Sequence, residues 1–485
     1  MAFDINLKIE TKYDFSGKVF SILITGISSV YLARVLTQYD YGLYQKLLFL
    51  SIIISQLLKF NFEKGLFYFY HRFYDKKSIY VVNAYSALFL ISITFIVLGL
   101  SLTTIINRYI DNDLHKYVIP IIFLISLNIF QGSFAKLFVI ERKAIWSMYY
   151  KIGFSLLRTL IIILAVIKFE IVYAVIIVLI IVEIIKSIFT FIYLKKMHNY
   201  NIVKLRKDII RDMLKYNIWV AISGVLGKVG QSMDKIILLA LVSTSDFAIY
   251  AIGFIQIPLL SNFYNSIGDV SLTKFSHLSS SGIQNQKALN LYKTMLSINA
   301  LITFPIICFG FFYIENIILL FFGKQYITSA NIFIITNLTT LIQMTGFGYI
   351  IRGYGNTRPL LLSNTIRLIL GIILGYIFIN HFGIIGAAIS YTTVYFLNGV
   401  ILLHYSLKII RVPFLMILPW KSMSKMLLIS LLSLFIVYPL KYFNLDLLYH
   451  IPMAAALYTL TICTLYTTFD LIKVDIIKKI FFKDK

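Results

Sequence analysis

Apolar runs of about twenty residues, the length a helix needs to cross the hydrocarbon core of a bilayer, follow one another along this chain with short polar connections between them. No single water-soluble core can bury that many runs. With 59% hydrophobic and 14% charged residues over 485 positions, the chain has too little polar surface to cover a soluble globule of its size. The fold class is therefore an all-α polytopic membrane protein. About fourteen transmembrane helices are expected. They fall at roughly 17–37, 41–60, 79–106, 118–140, 145–167 and 171–194, then 216–243, 247–270, 292–314, 329–351, 360–380 and 383–407, and finally 423–441 and 449–472.

The turn after the first run, Thr37-Gln38-Tyr39-Asp40-Tyr41-Gly42-Leu43-Tyr44, returns in the second half as Ser243-Thr244-Ser245-Asp246-Phe247-Ala248-Ile249-Tyr250. The order of hydroxyl, acid, aromatic, small, aliphatic and tyrosine residues is kept, and apolar runs flank both copies. About six spans separate the copies, an even number that preserves orientation, so the halves read as parallel repeats of a tandem duplication. Two pseudo-symmetric six-helix lobes follow: residues 1–194, a basic linker at 195–215, and residues 216–411. Two further helices and a basic cytoplasmic tail occupy 412–485.

The formal charge is +24, but the lysines and arginines cluster in alternate connections between apolar runs. That pattern places both termini in the cytoplasm and sets the basic residues against anionic headgroups, so it does not indicate nucleic acid. The linker alone carries Lys195, Lys196, Lys204, Arg206, Lys207, Arg211 and Lys215. Met1 to Ser16 lacks the apolar core and small-residue site of a cleaved signal peptide. Cys308 and Cys463 lie in separate spans with no metal-binding spacing, and read as packing residues. Pro258, Pro305, Gly224, Gly227 and Gly230 punctuate the second half, as hinges or as points of close helix packing. The histidines, such as His71, His198 and His404, lack paired acids at catalytic spacing. No enzyme and no cofactor are expected.

Several short stretches together resemble the polysaccharide transporters of the Wzx type. They are Ala33-Arg34-Val35-Leu36 with Asp40-Tyr41-Gly42-Leu43-Tyr44, Asp234-Lys235-Ile236-Ile237-Leu238 leading to Ala248-Ile249-Tyr250, and Phe321-Phe322-Gly323-Lys324-Gln325-Tyr326. Gly353-Tyr354-Gly355-Asn356-Thr357 and Phe382-Gly383-Ile384-Ile385-Gly386-Ala387-Ala388-Ile389 complete the set. The superfamily of those transporters also holds the lipid II flippase MurJ and the MATE drug exporters. The resemblance implies two six-helix lobes around a central cavity. It also implies transfer of undecaprenyl-diphosphate-linked oligosaccharide repeat units across the bacterial cytoplasmic membrane by alternating access, for O-antigen or capsule synthesis. The implied partners are that lipid-linked glycan, membrane lipid, and a polysaccharide polymerase with its assembly proteins. A MATE-like cation antiporter and a lipid II flippase are the alternatives. Arg34 fits the cationic first helix of MurJ, whereas Asp40 stands where a second basic residue is expected.

Charges inside spans are costly and mark functional sites. Lys151 and Arg158 lie nearly two helical turns apart on one face, and Lys228 and Lys235 repeat that spacing with Gln231 between them. With Arg34 and Arg367 these form the candidate diphosphate site, because guanidinium and ammonium groups are the natural donors to phosphate oxygens. Asn128, Gln131, Gln231 and Gln256 are the candidate sugar contacts. Asp234 and Glu183 are the candidates for ion coupling, with Glu183 also spaced to pair with Lys186 on its own helix. A cation exporter would call for the reverse balance of deep charge.

Overall fold

The computed structural model describes residues 2–109, 114–131, 134–169, 171–200, 206–280, 285–356, 358–442 and 446–469. Lys204 of the linker, Thr357 of the glycine motif and the basic tail from residue 470 lie outside the described residues. Among the described residues the chain is all helix, with no strand. Within those residues eleven helices are long and apolar enough to cross a membrane. The expected spans differ from this count in identifiable ways. Arg358–Ile410 runs as one element that bends at Gly383 (φ 55°, ψ −135°), and so spans two of the expected segments. The expected segments at 216–243 and 247–270 are each interrupted, at Ser232 and at 254–257.

By internal contacts the chain forms two compact units. The first comprises residues 1–229 with 242–248. Its helices are α1 (Ala2–Val35), α2 (Gln38–Leu58), α3 (Phe62–Arg72), α4 (Lys77–Ser101), α5 (Thr103–Tyr109), α6 (His115–Gln131), α7 (Phe134–Ile140), α8 (Ala144–Phe169) and α9 (Val172–His198), with most of α10 (Lys207–Gln231). α1 lies along α8, while α6 packs against α2, α4 and α9. Aromatic side chains dominate the core: Phe62, Phe69, Tyr80, Tyr85, Phe130, Phe134 and Phe138 are buried together. Phe134 meets Phe138, Tyr150 and Tyr193 edge-on at 5.0–5.3 Å between centroids, a favourable geometry for aromatic quadrupoles.

The second unit comprises residues 230–241 with 249–485. It holds α11 (Met233–Leu241), the second half of α12 (Thr244–Gly253), α13 (Pro258–Ser280), α14 (Asn285–Phe321), α15 (Ser329–Asn337), α16 (Thr340–Gln343), α17 (Phe347–Gly353) and α18 (Arg358–Ile410). α19 (Phe414–Ile417), α20 (Trp420–Val437) and α21 (Leu447–Thr468) complete it. α11 lies along α18, as α1 lies along α8 in the first unit, and α20 and α21 pack on α14. Pro305 sits inside α14, where the Tyr458 hydroxyl donates to its carbonyl at 3.2 Å.

The repeated turn has a local cause. Thr37 caps α2: its hydroxyl accepts from the Asp40 amide at 3.1 Å and donates to the Asp40 carboxylate at 2.7 Å. Ser243 does the same with Asp246, at 3.0 and 2.7 Å. Both copies thus use a hydroxyl and an acid three residues apart to satisfy the orphan donors of a helix start. The two turns also meet within the first unit. A Cβ on Gly42 would stand 1.9 Å from the Thr244 carbonyl oxygen, and Lys46 Nζ reaches the Val242 carbonyl at 3.4 Å and Thr244 Oγ1 at 3.3 Å.

Candidate functional site

In the first unit α8 presents Lys151 and Arg158 on the face along which α1 runs. Small hydroxyl residues make that approach close. Ser21 and Ser155 hydroxyls are 2.5 Å apart, and Thr159 donates to the Ile24 carbonyl at 3.1 Å. Asp14 of α1 accepts from Lys151 and pairs with Lys18 at 2.6 Å, so the Lys151 charge is compensated inside the unit. Arg158 is placed differently. It is half-buried in the middle of α8; its Nη2 donates to the Tyr44 hydroxyl at 3.3 Å, and its Nε has no hydrogen-bond partner. Among the described residues no carboxylate pairs with it.

Asn128, Gln131 and Glu183 come together in the same unit. Buried Glu183 receives Lys186 Nζ on Oε1 at 2.7 Å and the Gln131 amide on Oε2. Asn128 and Gln131 line a cavity of about 270 Å³ that Gln56, Lys59, Tyr150 and Lys186 also face. Glu183 is therefore held by two donors, Lys186 at the spacing on its own helix and Gln131 from α6.

In the second unit the helix break at Ser232 decides the geometry. The Ser232 carbonyl accepts the Ile236 amide at 3.0 Å and opens α11, leaving Asp234 in the first turn, where the helix dipole favours a carboxylate. Asp234 is 4% exposed; its Oδ2 accepts from the Tyr250 hydroxyl at 2.5 Å and its Oδ1 has no partner. Lys235 Nζ lies 3.7 Å from the centroid of the Phe254 ring, within range of the attraction between a cation and an aromatic face. Arg367 is 6% exposed, with Cζ 4.6 Å from the Tyr395 centroid and Nε without a hydrogen-bond partner. Gln256 donates to the Tyr391 hydroxyl at 3.0 Å, and Phe254 meets Tyr391 edge-on at 4.7 Å. Asp234, Lys235, Arg367 and Gln256 thus sit in one aromatic cluster.

The break also separates what a continuous helix would have aligned. Lys228 and Gln231 end α10 with exposed side chains, while Lys235 lies on α11, so the three do not form one stripe on one helix. Arg34 is exposed in the last turn of α1. Reading the sequence alone missed the partners of the deep charges: Asp14, Tyr44, Phe254 and Tyr395. Tyr44 and Tyr250 carried a signal, since they hold the same place in the repeated turn.

Two units of long apolar helices, each with an arginine deep in a span, define a polytopic membrane protein. Solved structures agree. The lipid II flippase MurJ in an inward closed conformation superposes with a TM-score of 0.69 at 17% identity, covering 94% of this chain and 99% of that one. An inward-facing multidrug resistance MATE transporter of the MOP superfamily gives 0.62 at 12% identity, over 81% and 94%. A MOP superfamily transporter from Pyrococcus furiosus, described as having a binding pocket of reverse polarity, gives 0.53 at 11% identity, over 84% and 95%. The chain belongs to the polysaccharide biosynthesis protein family, whose model matches residues 31–331. No curated protein matches the sequence.

Proposed function

We propose that this protein is a flippase of the Wzx type, moving undecaprenyl-diphosphate-linked oligosaccharide repeat units from the inner to the outer leaflet of a bacterial cytoplasmic membrane by alternating access. The product feeds a surface polysaccharide such as O-antigen or capsule, and a polymerase with its assembly proteins is the downstream partner. Both termini lie in the cytoplasm in this reading. One observation carries it: Arg158 and Arg367, each deep in an apolar helix, have no carboxylate partner among the described residues. A buried guanidinium left without an anion is costly. A diphosphate supplies that anion, and a guanidinium suits it best because its planar fork binds two oxygens at once.

Lys235 adds a point charge near Arg367 in this scheme, and Lys151, Lys228 and Arg34 are secondary phosphate contacts. Asn128, Gln131, Gln231 and Gln256 contact the sugars. A cation exporter is less well supported, since Glu183 is already engaged by two donors. Asp234, with one free oxygen, is the place where an ion gradient would couple, and Glu183 is the weaker candidate for that role.

The test is binding of a short polyprenyl diphosphate to the purified protein. Arg158→Gln and Arg367→Gln are each expected to weaken binding by about tenfold or more, equivalent to about 1.4 kcal/mol. Lys425→Gln, an exposed control on α20, should leave it unchanged. Wild-type affinity in both arginine variants would overturn the assignment.

A further inference from the structure

The polar cavity inside the first unit has a shape and chemistry of its own. Five helices wall it: α2 with Ser55, Gln56 and Lys59, α6 with Asn128 and Gln131, α7 with Ala135, α8 with Tyr150, and α9 with Lys186. Polar side chains gathered inside a lobe of apolar helices are expensive unless each finds partners. Here they find them only in part. Asn128 commits its amide nitrogen to the Leu124 carbonyl at 3.0 Å, and Ser55 its hydroxyl hydrogen to the Ile52 carbonyl at 3.0 Å. Gln131 commits its nitrogen to Glu183. Each keeps an oxygen that accepts. Lys186 uses one of its three hydrogens on Glu183, and Tyr150 lines the space beside it.

We infer that this cavity is a subsite for a single sugar ring. Interleaved acceptors and donors complement hydroxyl groups, each of which both donates and accepts. Lys186, whose ammonium is paired with Glu183 at 2.7 Å, keeps two hydrogens to donate. At about 270 Å³ the space falls below the range of about 300–1,000 Å³ common for drug-sized ligands, which suits one ring and not a chain of rings. Tyr150 supplies the aromatic wall. The subsite deepens the flippase reading and rests on it for the source of the sugar, because it makes the first unit alone a reader of the glycan.

The experiment is saturation-transfer NMR on the full chain in lipid nanodiscs, with glucose, galactose, mannose and N-acetylglucosamine as soluble probes and glucuronate as the charged counterpart. At least one neutral sugar is expected to receive transfer. That transfer should fall at least tenfold in Asn128→Ala and in Gln56→Ala, and persist in Lys425→Gln, an exposed control on α20. Should either cavity variant misfold, the other carries the comparison, with thermal unfolding as the check. No transfer to any neutral sugar, or equal transfer in the cavity variants, overturns the subsite. Transfer to glucuronate alone overturns it as well. Sugar binding without lipid-linked glycan transport would keep the subsite and sink the flippase reading; transport without sugar binding would do the reverse.

Discussion

Tyr44 and Tyr250 hold the same position in the two copies of the repeated turn, yet their hydroxyls serve opposite charges. Tyr44 accepts from Arg158, and Tyr250 donates to Asp234. The consequences of deleting each hydroxyl differ accordingly. Tyr44→Phe removes one 3.3 Å bond from a half-buried arginine and is expected to cost about 0.5–1.5 kcal/mol, the net worth of an ordinary hydrogen bond. Tyr250→Phe strips buried Asp234 of the hydroxyl its Oδ2 relies on, so about 1–3 kcal/mol is expected. Thermal unfolding in detergent compares the two, and a larger loss for Tyr44→Phe would contradict the assignment.

A third residue-scale prediction concerns Glu141, between α7 and α8 and outside the spans. It accepts from His198 at 2.7 Å, Lys143 at 2.8 Å and Tyr193 at 2.5 Å. Burial alone would push its carboxyl up, but these hydrogen bonds outweigh burial and hold it down at about 2, against an ordinary 4.5. Because the folded value is depressed, the stabilisation is complete above about pH 4.5 and is lost as pH falls through about 2. Glu141→Gln should be less stable at neutral pH and show a flatter acid limb over that window. An acid limb identical to wild type would refute this.

At the scale of elements, two glycines test different physics. Gly42 has no unusual backbone angle; its constraint is the Thr244 carbonyl 1.9 Å from where a Cβ would stand. Gly42→Ala therefore forces the two capped turns apart, and about 1–3 kcal/mol is expected from such overpacking. Gly383 has open space around it but φ of 55° and ψ of −135°, so Gly383→Ala is strained through its backbone, again by about 1–3 kcal/mol. A compensating small residue at position 244 cannot help Gly42→Ala, because the obstacle is backbone; Lys46→Ala, which frees the Thr244 turn, should soften the loss. Unfolding temperatures of the single and double variants decide it.

Much of the helical layout was legible because twenty-residue apolar runs leave few alternatives, and the repeat was legible because a capping hydroxyl and its acid keep fixed spacing. The breaks at Ser232 and at 254–257 were not. Interior breaks in apolar segments depend on side chains such as Asp234 and Tyr250 finding each other, a tertiary event that periodicity does not register. The site was legible to a similar degree. Deep arginines announce themselves by cost alone, but whether each is compensated depends on distant partners: Asp14 settles that for Lys151, and among the described residues no carboxylate does so for Arg158.

For the molecule as a whole, the energetics of the proposed transport need no bond to be broken. At about 100 mV inside-negative, each negative charge moved outward gains about 2.3 kcal/mol, so roughly two charges on a diphosphate gain about 5 kcal/mol if no counter-ion accompanies them. The membrane potential alone is then a sufficient drive, and a flipping rate that follows an ion gradient at zero potential would instead point to coupling through Asp234. The most direct measurement is the sidedness of undecaprenyl-diphosphate oligosaccharide in vesicles with and without this protein, read by an impermeant sugar-modifying enzyme. The account predicts protein-dependent exposure of the glycan, accelerated by the potential and lost in Arg158→Ala. Exposure that is the same with and without the protein, across several lipid-linked glycans, would contradict it.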